Sequence, residues 1–127
     1  MTRINCVPPQ ELSRQHLLAE WKELPRVFTL ASKAYAAGRK VRAPERYTLG
    51  AGHVKFFYKR LTFCTQRFYQ LRGEMLRRGY KVGYDTPPAT GILERDWWGH
   101  WVPDGDAIAI NRARIAERSR QNAIRNL

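Results

Sequence analysis

The chain has 127 residues, of which 23 are Lys or Arg and 11 are Asp or Glu, so its formal net charge at pH 7 is +12. This length suits a single core, and we expect residues 1–127 to form one domain. So strong a positive charge on a small domain indicates a polyanionic partner. Nucleic acid is favoured over an anionic membrane because no basic amphipathic segment with an exposed apolar face stands out.

The cysteines and the apolar segments exclude several classes of protein. Cys6 and Cys64 are too few for a disulfide framework, and neither has a second Cys or His at metal-ligand spacing. The first ten residues lack the apolar region of a signal peptide, and no stretch reaches the roughly 18 apolar residues that span a bilayer. We therefore expect a cytoplasmic protein without a bound metal or a membrane span.

The first helix is predicted to begin after Ser13, an N-cap residue, and to end at Gly38, a C-terminal cap. Before it, Pro8 and Pro9 predict an extended segment over residues 1–11. Pro25 predicts a kink inside the helix. The helix is indicated by one apolar stripe with steps of four and three: Leu17, Trp21, Leu24, Phe28, Ala31 and Tyr35.

The second helix is predicted from a longer apolar stripe that follows a basic, glycine-containing loop over residues 39–52. Its steps alternate three and four, and Gly79 closes it. Because Cys64 falls on this stripe, we interpret it as a buried structural residue. The members of the stripe are Val54, Phe57, Leu61, Cys64, Phe68, Leu71 and Met75.

The third helix is predicted after an irregular segment over residues 80–103. Asp104 or Asp106 caps it, it runs to about residue 122, and its apolar face is weak. The aromatic cluster of residues 97–101 is expected to pack against the helices rather than to stack on bases. Together these patterns predict an all-α fold, a single compact domain of three main helices with long irregular connections.

The polar face of the first helix carries the candidate site. On a helical wheel Gln15, Lys22 and Arg26 lie nearly opposite the apolar stripe, while His16 and Glu23 lie at the edge of this face. By itself such a pattern is more often an ordinary solvated face, with Glu23 as an ion-pair partner of Arg26 three residues on. Glu20 is a rival carboxylate, but it lies closer to the apolar stripe, so Glu23 is favoured.

The start of the chain offers a nucleophile. A small residue at position 2 permits removal of Met1, which would leave a free amine on Thr2. The reference pKa of an α-amine is about 7.7–8.0 against about 10.4 for Lys, so roughly 15% of it is neutral at pH 7. A neutral amine can attack an electrophilic carbon and form a Schiff base. The simpler interpretation is an ordinary chain terminus without a role.

Three segments carry a resemblance to a known family: MTRIN at residues 1–5, QHLLAEWKELPRVF at 15–28 and LGAGHVKFFYKRL at 49–61, with a weaker match in AIAINRARIAER at 107–118. The chain resembles the pyrimidine-dimer DNA glycosylases of the phage endonuclease V type. The resemblance implies removal of a damaged base, most simply from a cyclobutane pyrimidine dimer, and nicking of the resulting abasic site. In that chemistry the Thr2 amine forms the Schiff base, and no metal or cofactor is needed.

The resemblance also implies roles for single residues. Glu23 occupies the position of the essential carboxylate, which assists β-elimination. Arg is typical of the family at the position of Lys22, which keeps the charge but lacks the bidentate fork. The partner is damaged double-stranded DNA, which we expect a monomer to bind. The expected DNA contacts are Arg3, Gln15, His16, Lys22 and Arg26 around the lesion, and Arg114 and Arg118, which share a face with Arg125, on the phosphate backbone. The loop cations Arg39, Lys40, Arg42 and Arg46 extend this positive surface.

Three other functions remain open from the residues. A non-enzymatic, basic helical DNA-binding protein would use the same surface with no role for Thr2. An RNA-binding protein of the translation machinery would have a similar charge. A glycosylase or lyase of the same mechanism could act on a lesion other than the pyrimidine dimer.

Overall fold

Three long helices and one short helix form the fold in the computed structural model, which describes residues 4–126. Within that range no β-strand is found, and the predicted all-α fold with three main helices and long irregular connections is confirmed. The helices are α1 (Arg14–Ala36), α2 (His53–Phe56), α3 (Leu61–Arg77) and α4 (Gly105–Arg125), with 3₁₀ turns at Pro9–Glu11 and Arg95–Trp97.

Helix α1 begins and ends where the sequence predicts. The Ser13 hydroxyl accepts the backbone N–H of His16 at 3.2 Å, and Gly38 follows the helix with a φ of 67°, which favours glycine. The apolar stripe is buried as far as Ala31 and packs against α3, with the rings of Trp21 and Phe68 4.9 Å apart. The helix continues through Pro25.

The prediction of one continuous second helix is wrong. The chain leaves the α-helical path over residues 57–60 in turns that bond three residues apart, which separates α2 from α3. A 3₁₀ turn advances three residues, so Phe57 still points to the core and the apolar spacing is kept. The break lets the Lys59 carbonyl accept the N–H of Gly99 at 3.1 Å. A Cβ at position 99 would lie 2.5 Å from that carbonyl oxygen, so the approach requires glycine.

The prediction of an extended segment as far as residue 11 is also wrong in its last part. Pro9–Glu11 form a single 3₁₀ turn. Pro9 opens this turn, a position where its missing N–H costs no hydrogen bond. Residues 1–3 lie outside the described residues.

Helix α4 is capped by Asp104, whose carboxylate accepts the Ala107 N–H at 2.8 Å. It runs to Arg125, slightly further than predicted. The weak apolar face is confirmed, since only Ala107 and Asn111 of this helix are buried. The helix packs on the core through Ala107, Ile108 and Ile115, and its buried polar residue is Asn111.

The aromatic cluster of residues 97–101 packs inside the fold, as predicted. Trp97 is buried, and the Trp101 ring stacks on Tyr47 at 5.5 Å. Cys64 is buried, as expected, and burial raises the pKa of its thiol. Cys6 is free as well, and burial raises its pKa to about 11. Among residues 4–126 no helix is long and apolar enough to cross a membrane, and no group of three or more acidic, His or Cys side chains could hold a metal.

Candidate active site

A buried ion pair fixes the segment Ile4–Val7, which directly follows Thr2 and Arg3. Arg67 on α3 donates from Nε and Nη2 to the two carboxylate oxygens of Glu20 on α1, at 2.7 and 2.9 Å. The two side chains are 2% and 0% exposed. Arg67 also donates from Nη1 to the carbonyl oxygen of Val7 at 2.6 Å. The pair thus joins both long central helices to the N-terminal segment.

Two asparagines extend this buried network to α4. Asn5 donates from Nδ2 to Glu20 Oε1 at 2.8 Å, and Asn111 donates from Nδ2 to Asn5 Oδ1 at 2.7 Å. The Asn111 oxygen accepts the N–H groups of Cys6 and Val7 at 2.8 and 3.2 Å. Both ends of the Asn111 amide are therefore used to hold the N-terminal segment.

Ile4 is held from the other side by α2 and the preceding loop. Its N–H donates to Nε2 of His53 at 2.8 Å, and its carbonyl oxygen accepts the hydroxyl of Tyr47 at 2.8 Å. Because Nε2 accepts, the proton of the neutral ring is on Nδ1, which lies 2.7 Å from the Thr48 carbonyl oxygen. Ile4 is fully buried, so the described chain starts at a firmly anchored residue.

Thr2 and Arg3, the predicted nucleophile and its cationic neighbour, lie outside the described residues. Of the remaining predicted residues around the lesion, Gln15, Lys22 and Arg26 are exposed, and His16 and Glu23 are half-buried. The helical wheel gave the same distribution. The roles assigned to these residues stay predictions.

A groove of about 590 Å³ lies along α1 and ends at Glu23. The Glu23 side chain is 16% exposed, and the Arg26 guanidinium lies 3.3 Å from both of its oxygens. Arg26 itself is 66% exposed, so it can move to another anion at little cost. The described residues that line the groove are Arg14, Gln15, Leu18, Ala19, Lys22 and Glu23.

Glu20 and Glu23 differ sharply in what they can do. Both oxygens of Glu20 are occupied by Arg67 and Asn5, and no part of its side chain reaches solvent. Glu23 faces the groove, one turn further along the same helix. Of the two carboxylates, only Glu23 can meet a molecule that enters from solvent.

The N-terminal end of α1 lies beside α4. Asn122 donates from Nδ2 to Gln15 Oε1 at 3.0 Å. Partial burial, and secondarily the nearby charge of Arg118, lower the pKa of His16 from its ordinary value. Arg114 and Arg118 follow Asn111 by three and seven residues, and are half-buried on the same face of α4. The cations of α4 therefore lie on the side of the molecule that carries the start of α1.

No role was predicted for Arg67, His53 or Asn111, which anchor the N-terminal segment. The burial of Arg67 could have been inferred from the sequence, because it lies four residues before Leu71 on the buried side of the second apolar stripe. The burial of Glu20 could have been inferred in the same way, because it follows Leu17 of the first apolar stripe by three residues. A buried cation and a buried carboxylate on two packed stripes indicate an ion pair.

A family model described as pyrimidine dimer DNA glycosylase matches residues 1–87 of the 127. The match includes the N-terminal segment, all of α1 and the polar face that carries Glu23. It ends in the irregular connection after α3, so α4 lies outside it.

Proposed function

Because the chain belongs to the pyrimidine dimer DNA glycosylase family of DNA repair enzymes, we propose that it both releases the damaged base and cleaves the abasic strand. The Thr2 amine, freed by removal of Met1, is the nucleophile in this proposal, and Glu23 is the acid/base group. The proposed lesion is the cyclobutane pyrimidine dimer.

The proposed steps need no metal or cofactor. The Thr2 nitrogen bonds to C1′ of the damaged nucleotide as the bond between C1′ and the base breaks. The sugar ring then opens as the bond between C1′ and O4′ breaks and O4′ takes up a proton, which gives a protonated imine between C1′ and the enzyme. Glu23 takes a proton from C2′, the electron pair forms a C2′–C3′ double bond, and the 3′ phosphate departs. Water then hydrolyses the imine and frees the amine. The Glu23 carboxylate also stabilises the positive imine.

The observation that carries the proposal is the anchoring of Ile4–Val7 to Glu20, one helical turn before Glu23. Asn5 binds Glu20, which precedes Glu23 by about 4.5 Å along the axis of α1. Ile4, only two residues after Thr2, is fixed by His53. A nucleophile on a chain end is effective only if that end is held in place, because proximity supplies much of the rate. The buried network holds the N-terminal segment in this way, whereas an ordinary chain terminus needs no such anchoring.

The DNA contacts in this proposal come from both ends of the chain. On α1, Gln15 and Lys22 line the groove, and Arg26 pairs with Glu23 at its end. His16, next to Gln15 in the chain, is the fourth proposed contact of this helix. Arg114 and Arg118 on α4 add phosphate contacts on the same side, and Arg3 is placed with Thr2 by its position in the sequence. Since Gln15 of the groove is bonded to Asn122 of α4, we propose that the whole chain acts as one DNA-binding domain.

A strand-cleavage assay tests the proposal. Three duplexes of one sequence carry a pyrimidine dimer, an abasic site or no damage, and the products are resolved on a denaturing gel. The proposal expects cleavage of the first two and not of the third. Cleavage of the abasic duplex alone would reassign the lesion, and binding of all three without cleavage would contradict the enzymatic mechanism.

A further inference from the structure

A second concave site lies at the far end of α1. It has a volume of about 290 Å³ and is bounded by the end of α1, the loop that follows and α2. Its floor is apolar, and its rim carries five positive side chains, Lys33, Arg39, Lys40, Arg42 and Lys55. We refer to the cavity lined by these five residues as the basic pocket.

The basic pocket is not neutralised by the part of the chain that the structure describes. None of its five cations forms an ion pair there, and no carboxylate lines the cavity. Lys33 also lies in the last turn of α1, where the helix dipole favours a cation. The helix dipole explains the presence of Lys33 but not that of the four other cations around the same cavity. Like charges held in one cavity repel each other, and an anion that binds there would relieve the repulsion.

The basic pocket continues the polar face of α1. Lys33 follows Arg26 by seven residues and Lys22 by eleven, so all three side chains lie within about 40° of one another around the helix. Lys33 is ten residues after Glu23, or about 15 Å along the axis. A cationic face of α1 therefore leads from the groove at Glu23 to the basic pocket.

We propose that the basic pocket binds a backbone phosphate of the DNA duplex on one side of the lesion. The inference rests on the proposed function only in taking Glu23 as the position of the reacting nucleotide. Successive nucleotides of one strand are about 3.4 Å apart along the duplex axis, so 15 Å corresponds to about four or five nucleotides. The contact sets affinity and the direction in which the duplex lies on the protein, and it does not take part in the chemistry.

The test measures how the protein's affinity for a duplex depends on the length of DNA on each side of the lesion. Two duplexes carry a non-cleavable abasic-site analogue with about twelve base pairs on one side and about three on the other, in the two possible orientations. The variant Lys33→Gln/Lys55→Gln removes one charge from each helix that bounds the pocket. Both residues are exposed, so the fold should not change. The matched control is Lys81→Gln/Arg95→Gln, which removes two exposed charges outside the pocket.

The proposal expects the pocket variant to bind one of the two duplexes about tenfold more weakly than the wild type, and the other equally well. The slope of log affinity against log salt should become shallower by about one to two for the affected duplex alone. The control variant should not distinguish the two orientations. An equal loss for both duplexes, or no loss for either, would overturn the proposal.

Two further results would distinguish failure of the basic-pocket proposal from failure of the proposed enzymatic mechanism. If the wild type cleaves no damaged duplex but the affected orientation still depends on Lys33 and Lys55, the pocket stands and the mechanism fails. If pyrophosphate alone binds tightly in a way that the pocket variant abolishes, and the flanks have no effect, the pocket serves a free phosphate compound and its assignment to DNA is overturned.

Discussion

Asn111 on the last helix donates a 2.7 Å hydrogen bond to the side-chain oxygen of Asn5, although 106 residues separate them in the chain. The same asparagine accepts the next two backbone N–H groups, those of Cys6 and Val7. The last helix thus fixes the segment that leads to the proposed nucleophile. Asn111 lies outside the residues that match the family model, so this support comes from the unmatched part of the chain.

Replacing Asn111 by Ala should destabilise the protein. It leaves two backbone N–H groups without an acceptor in a buried site, at about 1–3 kcal/mol for each. We expect the free energy of unfolding to fall by about 3 kcal/mol, measured by urea denaturation. Asn122→Ala is the matched control, because it removes one exposed bond to Gln15 and should change the value by less than about 0.5 kcal/mol. Equal effects of the two variants would contradict the account of the network.

Replacing Arg67 by Met should destabilise the protein by about 3–5 kcal/mol, because the Glu20 charge would stay buried without its partner. The comparison is Arg26→Met, which breaks an ion pair whose cation is largely exposed, and should cost no more than about 1 kcal/mol. Thermal or urea unfolding of both variants measures the two losses in the free energy of unfolding. If Arg67→Met were as mild as Arg26→Met, the Glu20–Arg67 pair would not be the centre of the network.

Replacing Glu23 by Gln should abolish most strand cleavage while DNA binding is kept. General acid–base groups contribute about 10²- to 10⁴-fold to rates, so we expect a loss in this range under single-turnover conditions. Removal of a negative charge from a cationic face should leave the affinity for damaged duplex equal or slightly higher.

The control for Glu23 is Glu117→Gln, which removes an exposed carboxylate from α4. It should leave the cleavage rate within about twofold of the wild type. An unchanged rate in Glu23→Gln, or an equal loss in both variants, would show that Glu23 is not the acid/base group.

Replacing Arg118 by Gln should raise the pKa of His16. In the wild type, burial and then the Arg118 charge lower this pKa from the ordinary value of 6.5. Removal of a nearby positive charge makes protonation easier, so the pKa should rise but stay below 6.5, because the burial remains. NMR titration of the His16 imidazole measures the shift. Arg125→Gln, one exposed charge seven residues further along α4, should leave the pKa unchanged, and a similar shift in both variants would contradict the proximity of Arg118 to His16.

Much of the helical architecture could be predicted from local signals. Ser13, Gly38 and the apolar stripe between them define α1, because caps and periodicity are properties of neighbouring residues. The break over residues 57–60 could not be predicted, since a 3₁₀ turn keeps the apolar spacing and the reason for it is a contact with Gly99 far along the chain.

The exposure of the site residues was likewise predictable, whereas the hydrogen bonds from α4 that hold the N-terminal segment were not. The wheel correctly separates Lys22 and Glu23 from the buried stripe, because it depends only on helix geometry. The partners of Asn5 and Cys6 depend on how α4 docks, and an asparagine on a weakly apolar helix gives no sign in the sequence that it will be buried.

The most direct test of the central claim is borohydride trapping on an abasic duplex, followed by mass spectrometry of the linked peptide. Reduction converts the imine into a stable bond, so the labelled residue identifies the nucleophile. The account predicts a covalent adduct on the α-amine of Thr2, in protein from which Met1 has been removed. An adduct on an internal lysine such as Lys22, or cleavage of the strand without any adduct, would contradict it.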